Sequence, residues 1–166
     1  MDGLTVLAGY MPSDGATSVE GSTSYGIQYT GIDGLEVGIA QDDNEEQVSV
    51  TNGNQTDSAA GAGIENTVMY AKYTFDSFTI GAQENSSDSE TASADVDFSA
   101  FGISYAVSED LSVSYGVSKM DLEGMAEDQE HSALGVSFTS GSMTISGSHH
   151  KHENGGGTAT NDNDAY

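Results

Sequence analysis

The feature that most constrains this chain is an alternation in which both faces are unusual. In YTGIDGLEVGIAQ, residues 29–41, a strand arrives, turns at 31–34, and leaves again as Leu35, Val37 and Ile39. Between them sit Glu36, Gly38 and Ala40. Successive side chains of a strand point to opposite faces. This strand therefore carries bulky apolar groups on one face and small, nearly uncharged groups on the other. A soluble sheet packs its apolar face on a core and shows water a charged one; the second face here is not of that kind.

The pattern recurs along the chain, and no segment has the period of an amphipathic helix. GLTVLAGY, residues 3–10, is a first strand. Thr23, Tyr25, Ile27 and Tyr29 then oppose Ser24, Gly26, Gln28 and Thr30. Met69, Ala71, Tyr73 and Phe75 oppose Val68, Tyr70, Lys72 and Thr74, and Phe78, Ile80 and Ala82 oppose Thr79, Gly81 and Gln83. Phe101, Ile103, Tyr105 and Val107 oppose Gly102, Ser104 and Ala106; Leu111, Val113, Tyr115 and Val117 oppose Ser112, Ser114, Gly116 and Ser118. Leu134, Val136 and Phe138 form an eighth apolar face, and Met143 and Ile145 a ninth. About nine strands result, close to the roughly 9–11 residues of a tilted barrel span. Asp95 and Asp97 share parity with Phe101, so that part reads as loop or as strand projecting beyond the apolar band.

Connections alternate in length. Short turns are expected at 31–34, 76–77, 108–110 and 140–141. Long acidic segments are expected at 11–20, 42–63, 84–95, 119–131 and beyond 148. This is an all-β, antiparallel up-and-down meander. Twenty-one glycines and one proline suit it, because proline interrupts ladders.

Charge excludes several partners. The formal net charge is −24, with 27 acidic residues against 3 lysines and no arginine. Nucleic-acid phosphates and anionic lipid headgroups both call for clustered Lys and Arg. There is no cysteine, hence no disulfide or thiolate site. No apolar run approaches the roughly 20 residues of a transmembrane helix. MDGLTVLAGY has no basic n-region or long apolar h-region and reads as lacking a signal peptide.

Two environments fit the alternation. In a soluble sandwich the apolar faces pack together. In a transmembrane barrel they meet lipid, the other faces line a lumen, and the sheet closes. Three features favour the barrel. The non-apolar faces are Ser, Thr, Gly and Ala with rare charge. Aromatics lie beside the short turns, as an interfacial girdle requires: Tyr29, Tyr73, Phe75, Phe78, Tyr105 and Phe138. Turn lengths are asymmetric, short at one end and long at the other. The lumen-face candidates are Glu36, Lys72, Gln83, Ser112 and Ser114.

The hairpins YTGIDGLEVGIAQDDN, VMYAKYTFDSFTIGAQ and FGISYAVSEDLSVSYGVSKMD resemble the strand–turn–strand units of Gram-negative porins, especially alphaproteobacterial ones. The resemblance implies a general diffusion porin of the outer membrane: a barrel of roughly sixteen strands, homotrimeric, passing small hydrophilic solutes. It implies lipid and lipopolysaccharide as surroundings, with divalent ions bridging lipopolysaccharide to acidic loops. The chain departs from the family in lacking arginine for a basic constriction cluster and in its final GGGTATNDNDAY. Residues 1–166 are therefore expected to be a single domain, an incomplete porin without signal peptide, N-terminal strands or last strand. Acidic loops and Glu36 should favour cations, with Lys72 opposing locally.

Other chemistry is sparse. In SHHKHE, His149 and His150 point to opposite faces, while His150 and His152 share one and are weak candidates to chelate a divalent cation. His131 reads as an isolated loop residue. Asp42-Asp43, Glu45-Glu46, Asp162 and Asp164 are candidates for weak Ca²⁺ binding, without the spacing of an EF-hand. No nucleophile elbow or phosphate loop occurs, since AAGAGIEN lacks the following Lys-Ser/Thr. No enzyme and no resident cofactor are expected. Two alternatives stay open: a secreted or surface-exposed soluble acidic β-sheet protein for binding or adhesion, and a plugged non-porin outer-membrane barrel.

Overall fold

A computed structural model describes residues 2–12, 21–51, 54–57, 62–89 and 95–165. The side chains of 45–51, 54–57 and 62 lie outside that description, as do residues 13–20 of the first expected loop. The strands are β1 (Leu4–Met11), β2 (Ser22–Ile32), β3 (Leu35–Thr51), β4 (Asn54–Asp57), β5 (Ala62–Phe75), β6 (Phe78–Ser89), β7 (Val96–Ala106), β8 (Leu111–Leu122), β9 (Gln129–Ser140), β10 (Met143–Glu153) and β11 (Asn163–Ala165). They form one antiparallel sheet in chain order, with the short β4 off that path and paired to β3. Apart from β4 and β11, each strand runs eight residues or more, and these correspond to the nine expected alternating segments. Among the described residues, β1 and β11 are each paired on one side only.

The register keeps chemistry on its own face. One cross-strand row runs Leu35, Tyr73, Ile80, Ile103, Tyr115, Leu134 through successive pairings. Another on the opposite face runs Glu36, Lys72, Gly81, Gly102, Gly116, Ala133, His150. A slip of one residue in any pair would exchange the two faces of that strand, and no such slip occurs across these rows. A bulge between Tyr29 and Ile32 lies beside the first short turn.

Tight turns close one end. Gly34 has φ +75°, and a Cβ there would meet the Thr74 carbonyl, whose own backbone N–H donates to Gly34 O at 2.8 Å. Glycine is thus required both by conformation and by the neighbouring hairpin. Asp76 takes φ +50°, which Asp tolerates better than most L-residues. In the turn before β8, Ser108 Oγ accepts the backbone N–H groups of Asp110 and Leu111 at 3.3 and 3.1 Å.

There is no second layer among the described residues and almost no interior. Among the described residues Ile64, at 6% exposure, is the one buried hydrophobic residue, whereas Val6, Tyr10 and Ile145 remain 60% exposed or more. A soluble sheet with such a surface would carry an apolar patch far larger than water tolerates. The sandwich needs a second sheet against this face, and the strand order of the described residues leaves none to provide it.

The strands run further than their alternation does. β3 continues to Thr51, β6 to Ser89, β8 to Leu122 and β10 to Glu153, through segments expected as loops. Beyond the apolar band the outward face turns polar, so the period-two contrast fades while the backbone ladder continues. Asp97 lies in β7 opposite Ser86 and Asp121, which makes it a strand residue projecting past the band. The final segment also adds β11, paired to His150, Lys151 and His152.

Candidate pore lining

The polar face begins beside the first short turn with a connected group. Lys72 Nζ lies 2.6 Å from Glu36 Oε2. Gln28 Nε2 donates to Glu36 Oε1 at 3.0 Å and to Tyr70 Oη at 2.9 Å, and Tyr70 Oη donates to Glu36 Oε1 at 3.1 Å. Three strands supply these four side chains because Glu36 pairs with Lys72 and Gly38 with Tyr70. The Tyr70 ring lies over Gly38, where a Cβ would sit 2.6 Å from Cε1. Glycine here makes room for the ring rather than for a turn. Glu36 and Lys72 were expected on this face as opposed charges; the structure brings them into contact. Gln28 and Tyr70 were legible only as strand parity, since their meeting depends on register.

Across the sheet the row empties. Gly81, Gly102, Gly116 and Ala133 follow one another without side-chain bulk. A concavity of about 510 Å³ lies over them, bordered by Tyr70, Lys72, Gln83, Ala100, Ser118 and His131. Ser112 and Ser114 lie nearer the short turns, with Ser137, Ser146 and Ser148 beside a second concavity of about 480 Å³. Gln83 Nε2 donates to Asn85 Oδ1 at 3.0 Å. All five lumen-face candidates thus share one face, in two groups separated by the glycine row.

Toward the long-loop end this face becomes apolar, which its expected small and polar character missed. Val68, Val96, Phe98 and Met120 border a concavity of about 790 Å³ with Leu7 and Ala40. Phe98 pairs with Asn85 on one side and Met120 on the other. The parity of Phe98 opposite Phe101 signals this placement, but the preceding acidic stretch obscures it.

On the opposite face the aromatic residues form a continuous band. Ring centroids lie 5.6 Å apart for Tyr73 and Phe75, 5.4 Å for Phe75 and Phe78, and 4.4 Å for Phe78 and Tyr105. Tyr29 and Phe138 lie on the same face near their own turns, Phe138 opposite Leu111 and Ile145.

The histidines and acidic pairs differ from expectation in detail. His131 is not a loop residue: it lies in β9 directly opposite His152, and its ring stacks on His150 with centroids 5.4 Å apart. Asp42 and Asp43 are consecutive strand residues on opposite faces; Asp42 accepts from Asn66 Nδ2 at 3.3 Å. Asp162 Oδ1 accepts the Asn154 backbone N–H at 3.0 Å, and Asp164 pairs with Lys151. The Glu45 and Glu46 side chains lie outside the described residues. Among the described residues no three potential ligands converge on one point.

A meander of antiparallel strands, apolar on one face with an aromatic band and polar on the other, defines an outer-membrane β-barrel protein. Solved structures share the fold. OmpT of Vibrio cholerae folded in vitro, an outer membrane protein, superposes with TM-score 0.55 at 20% identity over 92% of this chain and 51% of its own. Its outer-membrane expressed form gives 0.55 at 19% identity with the same coverage. Its loop L8 deletion mutant gives 0.53 at 20% identity, over 92% of this chain and 54% of its own. The chain thus spans about half the length of these structures. No curated protein matches it. The family model described as Gram-negative porin matches residues 1–155, so the chain belongs to the Gram-negative porin family and to the outer membrane.

Proposed function

We propose that the protein is a passive channel for small hydrophilic solutes and ions, selective for cations. The observation that carries this reading is the polar-face row Gly81, Gly102, Gly116, Ala133, with no side chain larger than a methyl and flanked by Gln83, Ser112 and Ser114. Such a wall gives solutes room and hydrogen-bonding groups without a binding pocket, and passage needs no catalytic residue. In hydrocarbon the edges β1 and β11 both need partner strands, so the conducting form pairs them in a closed barrel. We further propose a homotrimer surrounded by lipid and lipopolysaccharide.

Cation selectivity would not arise at Glu36, whose charge is paired with Lys72. It would arise at the acidic long-loop end, where the surplus of carboxylates raises local cation concentration. Reconstitution into a planar bilayer tests both parts. Discrete conductance steps with a cation-directed reversal potential in a salt gradient are expected; an anion-directed potential would overturn the selectivity. Absent conductance in closed, inserted protein would favour a plugged barrel. The apolar patch around Phe98 and Met120 supports that second reading, because apolar surface inside a lumen invites cover.

A further inference from the structure

We propose that His131 and His150 form a binding site for a divalent transition-metal ion, with Zn²⁺ as the representative. The site stands on cross-strand geometry and does not depend on the pore conducting. β9 and β10 pair His131 with His152 and Ala133 with His150, so all three imidazoles emerge on the polar face within two residues of ladder. His131 Nε2 and His150 Nδ1 lie 3.4 Å apart. Zinc–imidazole bonds of about 2.0–2.1 Å at a tetrahedral angle place two ligand nitrogens about 3.3–3.4 Å from each other. The pair therefore already has the ligand–ligand separation of a tetrahedral site, and an ion bound there would replace the long hydrogen bond that the two rings make with each other.

The outer partner of His150 supports this use of its ring. Nε2 lies 2.9 Å from Ser148 Oγ, on the same face two residues back. Donation from Nε2–H to that hydroxyl leaves the Nδ1 lone pair directed toward His131. Ligating histidines commonly hold their other N–H in this way, which fixes tautomer and ring orientation. The two ring planes lie 20° apart with centroids 5.4 Å from each other. His152 is less well placed, with its ring centroid 6.2 Å from His131 and tilted by 54°. The protein thus supplies two ligands, and water completes the coordination. Paired imidazoles suit zinc, copper or nickel, whereas calcium and magnesium prefer oxygen ligands.

Calorimetric titration of the metal-stripped full chain with Zn²⁺, folded in detergent, tests the site. One ion per chain is expected, held less tightly than at a closed four-ligand site because water supplies part of the coordination. His131→Gln and His150→Gln should each weaken it at least about tenfold, and Ser148→Ala, which removes no ligand, by several-fold. Excess Ca²⁺ should not displace the ion. Strand content by circular dichroism checks the fold of each variant, and Ser148→Ala keeps the test decisive if a histidine variant misfolds. Unchanged affinity in the variants, displacement by Ca²⁺, or no uptake at micromolar Zn²⁺ would overturn the proposal, and the first two would assign the ion to the acidic segments.

Discussion

The short-turn half and the long-loop half of the sheet use one backbone ladder and two opposite chemistries. Near the short turns the outward rows are Phe75, Phe78, Tyr105 and Tyr73, Ile80, Ile103, Tyr115. Near the long connections the same face, on the same strands, carries Asp43, Glu65, Asp88 in one row and Asp97 opposite Asp121 in another. Like charges directly opposite one another destabilise a ladder. Water and salt moderate that cost, whereas hydrocarbon would make it prohibitive. The change therefore marks where lipid gives way to water: the ladder is indifferent to its solvent, and the side chains are not.

The strongest way to break this comparison is to place a charge on either side of the boundary. Ile103 lies outward between Ile80 and Tyr115, and Ser99 lies on the same face between Glu84 and Lys119. Ile103→Arg should destabilise the folded protein in lipid vesicles by about 2–4 kcal/mol, and Ser99→Arg by about 0–1 kcal/mol. Urea titration followed by tryptophan-free fluorescence of the tyrosines reads both; equal effects would erase the boundary.

The aromatic band offers a smaller effect. Phe78 is stacked between Phe75 and Tyr105. Phe78→Ala should cost about 0.5–1.5 kcal/mol beyond the loss of its apolar area, in the same titration. A value indistinguishable from that of Val117→Ala, which removes an outward residue that is not part of the aromatic stack, would deny the stack any special part.

Two changes on the inner face sharpen the contrast further. Gly38→Val should displace the Tyr70 ring and cost about 1 kcal/mol through the lost Gln28 and Glu36 hydrogen bonds. Tyr70→Phe in the same background should then cost nothing more. Glu36→Gln should cost least, because the pair is solvent-accessible and water screens it. Its larger consequence should be functional: Lys72 is left uncompensated, and the reversal potential moves toward anions. No shift in that potential would place the pair off the conduction path.

Much of the fold was legible because one face of each strand had to meet a different solvent from the other. Leu35, Val37 and Ile39 opposite Glu36, Gly38 and Ala40 already specify a strand, its two faces and its neighbours' parity. The outward aromatic residues follow from their distance to the turns. The lumen was legible only as a set of faces. His131 reads as an isolated loop residue because its meaning depends on being opposite His152, and no local pattern encodes a partner twenty-one positions away. Phe98 and Met120 were hidden for a similar reason, standing where the outer face had already turned polar and the alternation had lost its reference.

The sequence by itself determined the nine alternating segments, the short turns between them and which of their side chains share a face, because alternation is a local property of the backbone. Only the tertiary structure decided which side chains meet: Glu36 with Lys72, Tyr70 over Gly38, His131 against His150, and three glycines in one row. Those contacts are set by the register between strands, and register is chosen by the whole sheet at once, through every pair whose faces must agree.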